Sequence, residues 1–407
     1  MKNFLCLTLT FIAAGCSFFH DAVPSGRSRI ETMGRTTPRP GAAVQEEADT
    51  LSHLYLCAVE YPDGYDWVKD TAHTTVDARL LVFKDGECIH VLPAGDRFRI
   101  STDPDTHFML GGDLYTAFSD GSRTWVLQNG EEVFSADEAE DVVGMLRLDG
   151  MLWTLAQKRR GEGFTLRCDG VPVRESRQGV LTGALYLDEG DLCFAYGTTV
   201  QSAHYTIHKY YLEAGGKARE VSVPYDALSV FDIRRHKGIT YATYRQSSTP
   251  QDAVLSTDGG TRLLQMGGIQ SREARWFEIL PAGESVLIKG YFQSANDLRI
   301  YALWQPDGQK TTYASHISIH DFYYGDGQVY AIGYDSRMGE SVIYTPPSGV
   351  AKKPLGARYR FISRRAGTVF GGRFYAALTG DGENLLWLDG EKKKLPLNGP
   401  VTVVAYQ

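Results

Sequence analysis

Gly112-Asp113-Leu114-Tyr115, Gly150-Met151-Leu152-Trp153, Gly190-Asp191-Leu192-Cys193, Gly238-Ile239-Thr240-Tyr241, Gly283-Glu284-Ser285-Val286, Gly327-Gln328-Val329-Tyr330 and Gly372-Arg373-Phe374-Tyr375 are variants of one motif. Each is a glycine followed, after a spacer, by an apolar strand, and the unit returns every 40 to 47 residues or so. A second hallmark follows it: an alternating strand, a tight glycine turn, and another strand. Leu80-Leu81-Val82-Phe83-Lys84-Asp85-Gly86, Thr124-Trp125-Val126-Leu127-Gln128-Asn129-Gly130 and Leu385-Leu386-Trp387-Leu388-Asp389-Gly390 show it most plainly. Both central residues of a type I′ turn need φ above zero, so Asn-Gly and Asp-Gly mark tight hairpins. Strand-like runs at 229–235, 275–280 and 319–324 precede the first glycine of their periods. Each period therefore reads as four antiparallel strands, a to d.

One such sheet cannot bury both faces alone, so its neighbours must stack around an axis. A fixed period of this length is the signature of propeller blades. Turn glycines at Gly86, Gly130, Gly170, Gly215, Gly259, Gly308, Gly349 and Gly390 count eight units. The first unit opens directly on a b-type strand at 54–59, while the chain ends on a spare a-type strand, Val401-Thr402-Val403-Val404-Ala405-Tyr406. The missing piece and the spare one fit, and closure removes exposed sheet edges. The expectation is an all-β, eight-bladed β-propeller of four-stranded antiparallel blades over 51–407, closed by the C-terminal strand. Seven blades with one irregular insertion is the alternative, since 87–112 is the least regular stretch.

With 407 residues, 43% of them apolar, the chain can bury a large core. Its net charge of −7 is spread without long single-sign blocks, which argues against a nucleic-acid partner or an anionic-membrane surface. The N-terminus is different in kind. A short basic start and an apolar run over 4–14 are too short to span a bilayer and read as a signal peptide. The run ends Ala13-Ala14-Gly15-Cys16, which resembles the lipobox of bacterial lipoproteins. That resemblance implies removal of residues 1–15, diacylation of Cys16, and a membrane partner held through the lipid. Residues 16–50, rich in Pro, Gly, Ser and Arg, read as a flexible tether. Taken together, the pattern resembles the repeat-built propeller lipoproteins of Gram-negative bacteria, which implies an exported, monomeric protein, expected at the outer membrane.

Cys57, Cys88, Cys168 and Cys193 each lie in an apolar run and outside any CxxC, so buried free thiols are expected and zinc is not. His316/His320 and His204/His208 have helical metal spacing but sit in strand patterns, where four residues span about 13 Å. Asp103 and Asp105 begin like a calcium loop that lacks its glycine and closing Glu. No motif implies a metal, a cofactor or a catalytic triad. Ser256-Thr257-Asp258-Gly259-Gly260-Thr261-Arg262-Leu263 resembles a degenerate Asp-box of the sialidase type, with Leu at the aromatic final position. In that family the box is a turn stabiliser.

Two constellations remain. Asp232, Glu278 and Asp321 stand at equivalent depth in three consecutive a strands, where an acidic arc in the channel is expected. The b–c loops carry Tyr61, Tyr65, Trp67, Arg245, Phe292, Tyr334 and Arg337, a set suited to stacking and hydrogen-bonding a glycan. The first function expected is a non-enzymatic binding or scaffolding lipoprotein that recognises a glycan, peptide or envelope protein on its loop rim. A polysaccharide hydrolase or lyase using the channel carboxylates is the alternative, and envelope assembly a third.

Overall fold

The computed structural model describes residues 52–407 apart from 68–76, 94–105, 202–205, 225, 249–251, 265–271, 295–298, 306–308, 346–350, 361–364 and 381–382. The signal-peptide segment, Cys16, the tether, His204 and the Asp103–Asp105 turn lie outside the described residues. Residues 51–407 form one compact unit.

Among the described residues the strands form eight antiparallel sheets. Blade 1 is Val401–Tyr406, Leu54–Glu60, Arg79–Lys84 and Glu87–Pro93; blade 2 is His107–Leu110, Asp113–Ser119, Thr124–Gln128 and Glu131–Ala136. Blade 3 is Glu140–Leu148, Met151–Lys158, Phe164–Cys168 and Val171–Ser176. In blade 4 a split inner strand, Val180–Leu181 and Tyr186–Asp188, precedes Asp191–Gln201, Thr206–Ala214 and Lys217–Val221. Blade 5 is Ala227–His236, Ile239–Gln246, Ala253–Thr257 and Gly260–Leu264; blade 6 is Arg272–Ala282, Ser285–Ser294, Arg299–Trp304 and Lys310–Thr312. Blade 7 is Ile317–Gly325, Gln328–Asp335, Glu340–Thr345 and Ala351–Pro354. Blade 8 again splits its inner strand, Tyr359–Arg360 and Gly367–Phe370, before Arg373–Gly380, Asn384–Leu388 and Glu391–Leu395. Eight blades, not seven, are present, and 87–112 supplies the outer strand of blade 1 and the inner strand of blade 2.

Closure is as the sequence predicts. Leu54 pairs with Tyr406, Tyr55 with Ala405, Leu56 with Val404 and Cys57 with Val403. Around the ring, successive blades touch. His107 Nδ1 lies 3.0 Å from Thr402 Oγ1, and the Val404 amide donates to the Arg365 carbonyl at 2.7 Å. Arg147 stacks over Tyr115, Arg174 Nε lies 3.2 Å from Glu213 Oε2, and Arg235 Nε lies 3.3 Å from Asp188 Oδ2. The Ile279 amide donates to Asp232, Lys289 to Asp321, and the Tyr330 hydroxyl to the Gly372 carbonyl.

Burial follows from stacking. A b strand has blades on both faces, so Tyr55–Val59 is buried without alternation, whereas every residue of the outer Glu391–Lys394 is exposed. Each fully buried Leu, Ile or Phe contributes about 1.5–3 kcal/mol. The recurring Asp-Gly and Asn-Gly hold the blades in register. Asp85, Asn129, Asp169 and Asp389 adopt φ of 47–50°, each followed by a glycine of positive φ. Their side chains also work: Asp169 Oδ1 accepts from the Leu152 amide at 2.8 Å, Asn129 Oδ1 from Leu114, and Asp85 Oδ1 from Leu54. In blades 1, 2 and 3 the hairpin residue thus clamps the start of strand b.

Candidate functional site

Asp232, Glu278 and Asp321 each stand four residues before the last residue of their inner strand, so the equivalence expected from sequence is real. Their surroundings differ from the expected open arc. Lys289, near the middle of strand b of blade 6 and only 4% exposed, lies directly across from Glu278. Its ammonium is 3.4 Å from Glu278 Oε2 and donates to Asp321 Oδ1 at 2.7 Å; Asp321 also accepts from the Phe322 amide at 2.7 Å. The Trp276 ring lies 5.6 Å from the same ammonium. Two carboxylates of the arc therefore share one buried cation.

Asp232 is held differently. Its Oδ2 accepts from the Ile279 amide of blade 6 at 2.8 Å, and its Oδ1 faces Gly183 of blade 4. Desolvation pushes its pKa up to about 7; Glu278 adds to the rise, while the Ile279 amide and Arg234 oppose it. His320 is the extra residue of a β-bulge between Ile319 and Asp321. Protein crowding holds its pKa below the usual value, with Arg358 assisting and Asp321 opposing. The cluster is a hydrogen-bonding surface that holds a proton on Asp232 near neutral pH, beside a Glu–Lys–Asp trio in which one cation serves two carboxyl groups.

The arginines near these strands also hold other partners. Arg235 Nη1 is 2.7 Å from Asp191 Oδ2, Arg234 stacks 4.4 Å over Tyr186, and Arg365 donates to the His107 carbonyl at 2.6 Å. Lys289 was the overlooked residue. The available signal was a lysine among apolar residues in Val286-Leu287-Ile288-Lys289-Gly290-Tyr291, a charge that burial obliges to find a partner. His107 is a second overlooked group, fully buried, with burial and then Arg365 pulling its pKa down to about 4.

The rim residues do not converge, standing on blades 1, 5, 6 and 7. Tyr61 is only 4% exposed, and Trp67 stacks on it at 6.3 Å and 9°, with Tyr65 at 5.2 Å. Asn398 donates to the Pro62 carbonyl at 2.8 Å and the Tyr65 carbonyl at 3.2 Å, fastening this loop to the segment before the closing strand. The aromatic loop packs on blade 1 because three rings gain more by stacking together than by facing water. Phe292 requires a correction: it is fully buried in the core between blades 5 and 6, inside a strand longer than expected. Arg245 lies between blades 5 and 6, 3.7 Å from Glu273 Oε2. Tyr334 is half-buried beneath Arg358 at 4.8 Å, and Arg337 is exposed in the adjoining turn.

The four cysteines among the described residues are free, but Cys88 is exposed and Cys168 half-buried, which corrects the expectation of buried thiols. Burial pushes the Cys57 thiol up to about 12. Among the described residues no group of three His, Cys, Asp or Glu side chains is placed to hold a metal ion.

No protein-family model matches the sequence, and no curated protein matches it. Among solved structures the chain is similar to the β-propeller domain of the Trilobed protease from Pyrococcus furiosus, at 11% identity, TM-score 0.42, covering 74% of this chain and 94% of that one. It is also similar to a puromycin-hydrolyzing peptidase of Mycobacterium tuberculosis, at 13% identity and TM-score 0.45, over 74% of this chain and 53% of that one. A eukaryotic initiation factor gives 10% identity and TM-score 0.45 over 81% and 85%. At these identities the likeness concerns the fold alone.

Proposed function

We propose that the chain is a membrane-anchored, extracytoplasmic binding or scaffolding lipoprotein, tethered through Cys16, whose propeller recognises a glycan, peptide or envelope protein. The anchor reading rests on the basic start, the short apolar run and Ala13-Ala14-Gly15-Cys16. The binding reading rests chiefly on how the channel carboxylates are used. Asp321 and Glu278 share Lys289, and Asp232 caps an amide of the next blade, so each is bound to an internal partner. A glycosidase acid–base pair needs two carboxyls facing a substrate across an open gap. These three instead join blades 5, 6 and 7.

Two experiments test the reading. Labelling with a fatty-acid probe in a bacterial host should mark the chain and place it in the membrane fraction. Cys16→Ser should abolish both; labelling that survives this change contradicts the anchor. Affinity capture from detergent-solubilised envelope should then recover the same ligand or partner with wild type and with the Asp232→Asn/Glu278→Gln/Asp321→Asn variant. Polysaccharide cleavage by wild type that vanishes in the folded variant would establish the hydrolase alternative instead.

A further inference from the structure

Long side chains close the outer part of several blade interfaces. A Cβ added at Gly170 would strike Phe134 of the preceding blade at 2.7 Å, and one at Gly130 would meet Leu92 at 3.0 Å. Lys353 and Lys393 reach the hairpin glycines Gly390 and Gly86 in the same way, at 3.6 and 3.7 Å. Between blades 4 and 5, as at Gly216 in the turn of blade 4, no side chain of the preceding blade reaches the hairpin glycine. At Gly259 only the Thr257 hydroxyl of the same hairpin comes near, and the covering residue, Arg219, is 72% exposed and turned to Asp258 at 3.4 Å.

Two further substitutions hollow out this interface. The residue that opens strand b against the preceding blade is Leu54, Leu114, Leu152 or Leu192 in blades 1–4, Val286 and Val329 in blades 6 and 7, and Phe374 in blade 8. In blade 5 it is Thr240. The strand c position beside it holds Phe83, Leu127, Trp304, Tyr344 or Trp387 in five blades and Arg167 or Glu213 in two. In blade 5 it is Ser256. Small hydroxyl residues thus stand where large side chains fill the other interfaces. A cavity of about 370 Å³ results, lined by Arg219, Thr240, Ser256, Thr257, Asp258 and Thr261 among others.

We propose that this cleft between blades 4 and 5 is a binding site for a small polyhydroxylated ligand, a mono- or disaccharide. Hydroxyls both donate and accept, a guanidinium only donates and a carboxylate only accepts, so the lining can match an array of sugar hydroxyls and ring oxygens. The paired charges of Arg219 and Asp258 leave no net attraction for a bare anion. The volume falls within the range of small-molecule pockets, about 300–1,000 Å³. Asp258 is already positioned, because its Oδ2 accepts from the Thr240 amide at 3.2 Å. The Asp-box-like hairpin thereby forms one wall of the cleft. This proposal goes beyond the rim-binding reading and stands whether or not the chain is anchored.

The test is saturation-transfer NMR and calorimetric titration of the full chain, in a detergent without a sugar headgroup, with D-glucose, N-acetyl-D-glucosamine, D-galacturonate and maltose. Saturable binding of at least one sugar is expected. Thr240→Leu/Ser256→Leu, which restores the residues typical of the other blades, should weaken it by about tenfold or more, a factor worth about 1.4 kcal/mol, without lowering the melting temperature. Arg219→Ala, at an exposed side chain, and Asp258→Asn, which keeps the clamp that Asn129 makes in blade 2, should weaken it with the fold intact. The proposal is overturned if none of the four sugars binds, if the filled variant binds like wild type, or if inorganic phosphate occupies the cleft and the sugars do not. Should the filled variant fail to fold, unchanged binding in both single variants overturns it equally.

Discussion

Replacing Lys289 with Met removes the cation between Glu278 and Asp321, and the structure sets the size of the effect. Lys289 and Asp321 are 4% and 6% exposed, so Asp321 would be left as a buried carboxylate with only the Phe322 amide for support. The Glu278 side chain is 31% exposed, but its Oε2, the oxygen that faces the ammonium, is buried, so its loss adds to that of Asp321. Breaking a buried pair by removing one partner costs about 3–5 kcal/mol. With a urea slope of about 3 kcal/mol/M this lowers the unfolding midpoint by roughly 1 M or more. The double variant Lys289→Met/Asp321→Leu removes both charges, and replacing a buried ion pair with apolar groups is often neutral or better. It should therefore recover most of the loss. Urea unfolding at pH 7, followed by tryptophan fluorescence, reads all three proteins. A loss below about 1 kcal/mol in Lys289→Met, or a second loss added by Asp321→Leu in place of rescue, refutes the charge trio as an energetic unit.

Two further predictions concern the channel carboxyl and the hairpin clamp. Asp232 has an ordinary value of 3.8 and a folded value of about 7, so the folded state holds its proton longer. Its contribution is present below 3.8 and is lost as pH rises through 7. Asp232→Asn should accordingly gain melting temperature on wild type between pH 5 and pH 8, and a constant difference across that window contradicts the assignment. Asp169→Ala removes the bond to the Leu152 amide and leaves a non-glycine, non-Asx residue at φ 47°, which should cost about 1–2 kcal/mol. Asp169→Asn should stay within about 0.5 kcal/mol in urea denaturation, because Asn129 performs the same task in blade 2.

The ring was legible because its determinants are local. A turn that needs φ above zero at two successive residues admits few sequences, and Asp149-Gly150, Lys237-Gly238 and Asp326-Gly327 all meet that need at the a–b turns. Closure was legible from a shortage at one end and a surplus at the other. Equivalent depth of the three carboxylates followed from counting back from those turns. What each carboxylate meets did not follow, since Lys289 comes from another strand and its contact with Asp321 crosses a blade interface. Trp67 stands in the loop the sequence gives it, but its stacking on Tyr61 did not follow, since a polar neighbourhood in sequence does not show what a ring will lie on. Phe292 lies inside strand b of blade 6 and not in the loop after it, because the strand runs on through Gly290. The glycine is needed inside the strand, where a Cβ would meet the Phe277 ring and the Trp276 carbonyl at 2.6 Å. Cys88 is exposed because it stands on the outermost strand of blade 1, which, like the outer strands of the other blades, has little packed over it. The cleft between blades 4 and 5 was also hidden, because Thr240 and Ser256 are ordinary strand residues until they are set against their equivalents in the other blades.

Closure by the C-terminal strand is the central claim, and a cross-link between the two ends of the ring tests it most directly. His53 and Gln407 exchange both backbone hydrogen bonds, so the next pair along, Leu54 and Tyr406, is a non-hydrogen-bonded pair. Such pairs place Cα atoms about 4.5 Å apart, within the span of a disulfide. In Leu54→Cys/Tyr406→Cys, oxidised while folded and mapped by peptide mass spectrometry, the account predicts one dominant 54–406 disulfide. Absence of that bond in folded protein, or preferential pairing of either new cysteine with the exposed Cys88, would contradict a ring closed in this register.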